Sequence, residues 1–111
     1  MARAMGDIHA IGNDIEVYYF MNSQCPNSLA EVGYGDRLDP WGSPYQYLNF
    51  QDAKGKGQMR KDRFLVPINS FFDLYSMGKD RASVPPLTAK SSQDDIIWAR
   101  DGGYVGPASE F

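Results

Sequence analysis

Residues 38–47, which read LDPWGSPYQY, restrict the fold of this chain more than any other segment. Pro40 has a fixed φ and pushes Asp39 toward an extended conformation, so a turn begins there. Gly42 tolerates a positive φ, and a second proline follows two residues later. Alternating side chains then predict a β-strand over residues 44–50. The segment therefore predicts a tight turn that leads directly into a strand.

The N-terminal end carries a different pattern, with apolar side chains at three- and four-residue steps over residues 2–21. This spacing is typical of an amphipathic helix whose apolar face lies on a sheet. The positions on this stripe are Met5, Ile8, Gly12, Ile15 and Tyr19. A glycine inside a helix lowers its stability by about 1 kcal/mol relative to alanine, so Gly12 indicates a close contact on that face.

The middle of the chain predicts a short helix and two further strands. Ser28 and Glu31 have the spacing of a capping box, which predicts a short helix ended by Gly33. Further strands are expected to begin at residue 64 and to cover residues 71–76. The result is an α+β fold, in which a long helix packs on a small antiparallel sheet of three or four strands.

The 111 residues form one domain with four parts. The parts are the long helix at 2–21, a short-helix region at 22–43, the sheet at 44–78 and a C-terminal loop region at 79–111. Within the last part, glycines after Asp101 predict a tight turn and a short final strand.

Composition and motifs argue against several classes of protein. The net charge of −3 disfavours a nucleic-acid partner. No stretch approaches the roughly 20 consecutive apolar residues of a membrane-spanning helix. His9 is the only histidine, and Cys25 is the only cysteine and is interpreted as a partly buried thiol. Without a phosphate-binding glycine loop or a plausible nucleophile and base, the sequence predicts no enzymatic activity.

Three segments, taken in order, resemble the type II secretion pseudopilins, which are relatives of the type IV pilins. They are DPWGSPY at residues 39–45, FDLYSMGKD at residues 72–80 and DDIIW at residues 94–98. The last two are similar to the family patterns Asp-aliphatic-Tyr-Ser-Leu-Gly-x-Asp and Asp-Ile-x-x-Trp. The resemblance implies a pilin-like fold and a structural role in a periplasmic filament that drives protein export across the outer membrane.

The resemblance also implies a location and a set of partners. A hydrophobic, N-methylated helical segment preceding this chain would anchor the full-length protein in the inner membrane. The domain itself would lie in the periplasm and touch the membrane only through that segment. Its expected partners are copies of itself, other pseudopilins and inner-membrane components of the secretion system.

A calcium site in the C-terminal loop is a further implication, because the major pseudopilins bind calcium there. By motif position, its ligands are one backbone carbonyl and three carboxylates, those of Met77, Asp80, Asp94 and Asp95. Calcium takes six to eight oxygen ligands in flexible geometry, which suits such a loop. The chain departs from the family pattern because Arg81 follows Asp80 directly, and because the apolar residues 84–87 could close the loop without an ion.

Two segments have a second interpretation. Asp94 and Asp95 could equally cap a helix that begins at Ile96. The basic, glycine-rich residues 54–63 predict a solvated loop, with an electrostatic contact to acidic residues of the next subunit as the alternative. The acidic residues assigned to this contact are Asp7, Asp14, Glu16, Asp94 and Asp95.

The function has alternatives as well. One is a type IV pilin or pilin-like subunit used in adhesion, motility or DNA uptake. The other is a periplasmic or extracellular binding module that holds a glycan on its aromatic surface. The binding module requires Trp41 and Trp98 to be exposed and clustered, so the burial of these two side chains distinguishes it from a filament subunit.

Overall fold

A long N-terminal helix lies across one face of an antiparallel sheet, which makes this an α+β fold. The computed structural model describes residues 2–52, 59–61, 66–87 and 89–111. The helix and strands are α1 (Ala2–Asn22), β1 (Gln46–Asn49), β2 (Phe72–Ser76), β3 (Ile96–Ala99) and β4 (Tyr104–Pro107). The strands lie side by side in chain order, so each pairs with the next one.

The helix predicted over residues 2–21 is confirmed, and α1 buries one complete face against the sheet. The residues at the centre of this face are Ala4, Ile8, Ile11 and Ile15, all without solvent exposure. Gly12 lies on the same face, and a Cβ there would be 2.1 Å from the ring of Trp98. The close contact that Gly12 predicts is therefore with β3. Within the described residues, no helix has both the length and the apolar content needed to cross a membrane.

The sheet carries an apolar layer on each face. Toward α1 it presents Phe72, Leu74, Ile96 and Trp98. On the opposite face lie Ile68, Leu87, Ile97, Ala99 and Ala108. Side chains alternate along a strand, so β3 contributes to both layers and all of its residues are buried.

The sheet extends beyond the range of residues 44–78 assigned to it, because β3, which the sequence did not predict, and β4, the expected final strand, both belong to it. β3 is only four residues long and is buried on both faces, so it lacks the alternation by which a half-exposed strand is recognised. The alternative in which Asp94 and Asp95 cap a helix is wrong, because the next residues form this strand. The turn and final strand expected after Asp101 are confirmed by β4.

Two other predictions for the middle of the chain have different outcomes. The strand at residues 71–76 is confirmed as β2, whereas Val66 belongs to no strand. Residues 64 and 65, where that other strand is expected to begin, lie outside the described residues.

The short helix predicted after Ser28 is a single 3₁₀ turn at Leu29–Val32. It ends at Gly33, which adopts the expected left-handed conformation with a φ of 89°. The capping box does not form as predicted, because the Ser28 side chain makes no capping bond. The carboxylate of Glu31 instead accepts a hydrogen bond from the backbone N–H of Asn27.

Candidate metal centre

The carboxylate of Asp39, which is only 3% exposed, organises the turn at residues 39–42. The backbone N–H groups of Trp41 and Ser43 donate to its Oδ1 at 3.0 and 2.9 Å. The hydroxyl of Ser76, at the end of β2, donates to its Oδ2 at 2.7 Å. The turn is therefore bound to the strand that leads into the acidic region.

The chain leaves β2 in a tight bend at Gly78, whose φ is 72°. The backbone N–H of Gly78 donates to the hydroxyl oxygen of Ser76 at 3.1 Å. A Cβ at this position would be 2.3 Å from the carbonyl oxygen of Asp94. The bend accepts only glycine, because both the positive φ and the close contact exclude a side chain. The bend brings Gly78 against Asp94 in the segment that precedes β3, and Met77, the predicted carbonyl ligand, is the residue before Gly78.

Three of the predicted ligands meet at this bend. One carboxylate oxygen from each of Asp80, Asp94 and Asp95 lies within 4.8 Å of the other two, and these residues are called the acidic cluster below. The backbone N–H of Asp80 donates to Oδ2 of Asp94 at 2.9 Å, and the Ser83 hydroxyl donates to Asp95. These bonds hold the loop after β2 against the start of β3.

Two oxygens of the acidic cluster are buried and have no hydrogen-bond donor among the described residues. They are Oδ1 of Asp94 and Oδ1 of Asp95. Burial raises the pKa of Asp95 to about 7; the Ser83 hydrogen bond and the charge of Arg60 lower it, and the neighbouring aspartates raise it further. The environment of Asp95 therefore disfavours a carboxylate that has no cation beside it.

These features fit a hard divalent cation. Carboxylate oxygens are ligands that calcium prefers, and the cluster offers two buried oxygens for which the described part of the chain provides no hydrogen-bond donor. A cation there would offset the cost of burying the negative charge. The three carboxylates would supply ligands from two segments, and the carbonyl of Met77 is the remaining predicted ligand.

Arg81 does not oppose a cation by pairing with the cluster. Its side chain is exposed, and one of its guanidinium nitrogens lies 3.5 Å from the position of a Cβ on Gly42. In the part of the chain that the structure describes, Arg81 forms no ion pair with the aspartates. The departure from the family pattern at this position is therefore compatible with a metal.

Comparison of this chain with protein-family models, curated proteins and solved structures finds no match. The function is therefore inferred from the residues and their arrangement.

The sequence did not predict one charged group beside the cluster. Arg60 belongs to the basic segment 54–63, for which a solvated loop is expected, yet it is only 6% exposed. The prediction of a solvated segment is wrong for this residue, and residues 53–58 and 62–65 lie outside the described ones. The signal that could have indicated a buried partner is Asp73, a charged residue within the predicted third strand.

The two tryptophans and the single cysteine pack in or against the core. Trp98 is 1% exposed and stacks on Phe72 with ring centroids 5.8 Å apart, and Trp41 is half-buried against the same core. The exposed tryptophan pair that a glycan-binding module requires is therefore not present. Cys25 is buried, and burial raises the pKa of its thiol, which disfavours a reactive thiolate.

Proposed function

We propose that this chain is a structural subunit of a type II secretion pseudopilus, with a pilin-like fold. The observation that carries the proposal is α1, which packs one face on the sheet and exposes large apolar side chains on another. Val17, Phe20 and Met21 are 59%, 85% and 74% exposed. Large apolar surfaces on a folded domain indicate an interaction site. A second copy of the chain is the occupant that a filament requires.

Three of the exposed apolar side chains lie on one side of α1 near its C-terminal end. The α1 patch consists of Val17, Phe20 and Met21, which are three and four residues apart. Tyr19 is predicted on the buried stripe, but it is 37% exposed at the edge of that stripe, with its ring centroid 5.0 Å from that of Phe71. A head-to-tail contact made by such a patch is heterologous and builds an open helical filament.

Charge contributes less to this contact than the sequence predicts. Asp7 is one of the acidic residues assigned to a contact between subunits, but Arg3, Arg37 and Tyr45 of the same subunit already engage it. Arg60, from the basic side of the proposed contact, is buried. The contact proposed here therefore depends on the apolar patch, and charge reversal at Arg60 would test folding instead of assembly.

The N-terminus of the native protein tests the class of protein. Mass spectrometry of the protein from its source is expected to find an N-methylated terminus and about 20 apolar residues leading into α1, since that length spans a bilayer. A mature terminus near Met1 without such a segment would contradict the filament proposal.

Substitutions in the α1 patch test the assembly surface. Phe20→Ser together with Met21→Ser in the full-length protein is expected to reduce filament formation and secretion. Leu38→Ser is the matched control, because Leu38 is also apolar and 48% exposed but lies outside the patch. The fold of each variant is checked by circular dichroism. Normal assembly of the double variant would contradict a role of the patch.

We further propose that the acidic cluster and the carbonyl of Met77 hold calcium. The ion would neutralise buried negative charge and bind the loop after β2 to the start of β3. Calcium is expected to raise the thermal midpoint, because a ligand at 100 times its Kd stabilises by about 2.7 kcal/mol. Asp80→Asn should reduce this rise. A midpoint that neither chelator nor calcium changes would contradict the metal site.

A further inference from the structure

A second buried charge centre lies beside the proposed calcium site, on the face of the sheet opposite α1. Alternation along β2 turns Phe72 and Leu74 toward the helix, so Asp73 and Tyr75 point the other way. By the same rule, Asp95 shares the face of Ile97, which belongs to the opposite layer. The innermost carboxylate of the acidic cluster therefore lies on the same face as Asp73.

Arg60 inserts its side chain on this face. Its backbone N–H donates to Oδ2 of Asp73 at 2.7 Å, and its guanidinium donates to the hydroxyl of Tyr75. The guanidinium carbon also lies 3.8 Å from the centroid of the Tyr75 ring, which is a cation–π contact. Burial lowers the pKa of Arg60, and the charges of Asp95 and Asp73 oppose this shift.

The backbone around Arg60 is also bound to the loop that carries the acidic cluster. The N–H of Lys61 donates to the carbonyl of Pro85 at 3.0 Å, and the N–H of Leu87 donates to the carbonyl of Lys61 at 2.7 Å. Ser83, in the same loop, donates to Asp95. The backbone beside Arg60 and the donor to Asp95 therefore belong to one continuous, hydrogen-bonded piece of structure.

The charges in this region do not balance. Asp73 and Asp95 are 2% and 0% exposed, and among the described residues Arg60 is the buried cation whose charge interacts with both. Nε of Arg60 and Oδ1 of Asp95 are both buried without a hydrogen-bond partner there. We propose that Arg60 is an internal counter-charge of the metal site, which stabilises Asp95 when no metal is bound and limits the affinity of the site for calcium.

This inference rests on the proposed calcium site and adds a residue that acts through Asp95 without being a ligand. A fixed positive charge repels an incoming cation, and buried charges interact strongly over several ångströms. Arg60 should therefore have opposite effects on two properties. It should stabilise the metal-free protein, and it should weaken calcium binding. A residue with only a structural role would instead support both the stability of the metal-free protein and calcium binding, so that its replacement would weaken both.

The test measures calcium affinity by calorimetric titration of the metal-free chain, and thermal unfolding in chelator. Arg60→Gln should lower the metal-free midpoint while it tightens calcium binding by at least about tenfold, the order expected for loss of one nearby charge. Arg60→Lys is the control and should bind calcium within about threefold of wild type, since it keeps the charge. Weaker or unchanged calcium binding by Arg60→Gln would overturn the proposal.

A double variant keeps the test decisive if Arg60→Gln alone folds poorly without metal. Adding Asp95→Asn to Arg60→Gln removes both charges, so the double variant should have a higher midpoint in chelator than Arg60→Gln alone. No such recovery would overturn the role of Arg60. Failure of the wild-type chain to bind calcium would overturn the calcium site. In that case, a higher midpoint of the double variant than of Arg60→Gln in chelator would still show that Arg60 and Asp95 are coupled.

Discussion

Gly6 and Gly12 lie in the same helix, but there is open space beside Gly6 and an aromatic ring beside Gly12. A Cβ on Gly12 would lie 2.1 Å from the ring of Trp98, whereas a Cβ on Gly6 would have no neighbour within 4 Å. Gly6→Ala should therefore raise the free energy of unfolding by about 0.5–1 kcal/mol. Gly12→Ala should lower it, because overpacking costs about 1–3 kcal/mol and exceeds the helical gain. Urea unfolding measures both, and equal stabilisation by the two variants would contradict the contact with Trp98.

Asp73 gives the stability a dependence on pH. Burial raises its pKa above the ordinary value of 3.8, although the hydrogen bonds from Arg60 and Asn69 and the charge of Arg60 oppose the shift. Because the pKa of Asp73 is raised in the folded state, Asp73 contributes to the stability of the folded protein at pH values below its unfolded-state pKa. This stabilisation is lost as the pH rises through the folded-state pKa.

Asp73→Asn tests this dependence, because asparagine does not titrate. Wild type should lose stability relative to the variant as the pH rises above 4 in chelator. Denaturant unfolding of both proteins at several pH values measures the difference. A difference that stays constant with pH would show that Asp73 has an ordinary pKa.

At the scale of elements, Asp39 joins the turn before β1 to the end of β2. Removing its carboxylate leaves the buried hydroxyl of Ser76 without its acceptor, which typically costs about 1–3 kcal/mol. Asp39→Ala should therefore lower the free energy of unfolding by at least that amount. Asp36→Ala is the matched control, because Asp36 is exposed and its loss should change stability by less than about 0.5 kcal/mol. Similar stability of the two variants would contradict the conclusion that Asp39 stabilises the fold by joining the turn to the end of β2.

At the scale of the whole molecule, the layers on the two faces of the sheet should unfold together, because β3 belongs to both. Ile8→Ala on the helix side and Leu87→Ala on the opposite side should each cost about 2–5 kcal/mol, since both side chains are buried. Tryptophan fluorescence and far-ultraviolet circular dichroism should report one coincident transition. A small effect of Leu87→Ala, or a separate early transition, would show that the C-terminal layer folds independently.

The sequence alone was sufficient for features whose cause is local. The spacing of Ile8 and Ile15 predicts the helix and its buried face, because helical periodicity acts within a few turns. The prolines and Gly42 predict the turn through their own backbone restrictions. The alternation of side chains predicts β1 and β2, because the two-residue period of a strand is also a local property. The proposed ligands Asp80, Asp94 and Asp95 came from motif resemblance, and no local rule places them together.

Tertiary structure decided the features that depend on distant neighbours. β3 became a strand through pairing with β2 and β4, which a four-residue apolar run cannot specify. Arg60 is buried because Asp73 and Tyr75, both distant in sequence, form a site that offsets part of the cost of burying its charge. The acidic cluster forms because Gly78 lets the chain bend against Asp94. Long-range pairing, burial and charge balance are properties of the folded chain, so local pattern predicts the elements and only their packing creates the site.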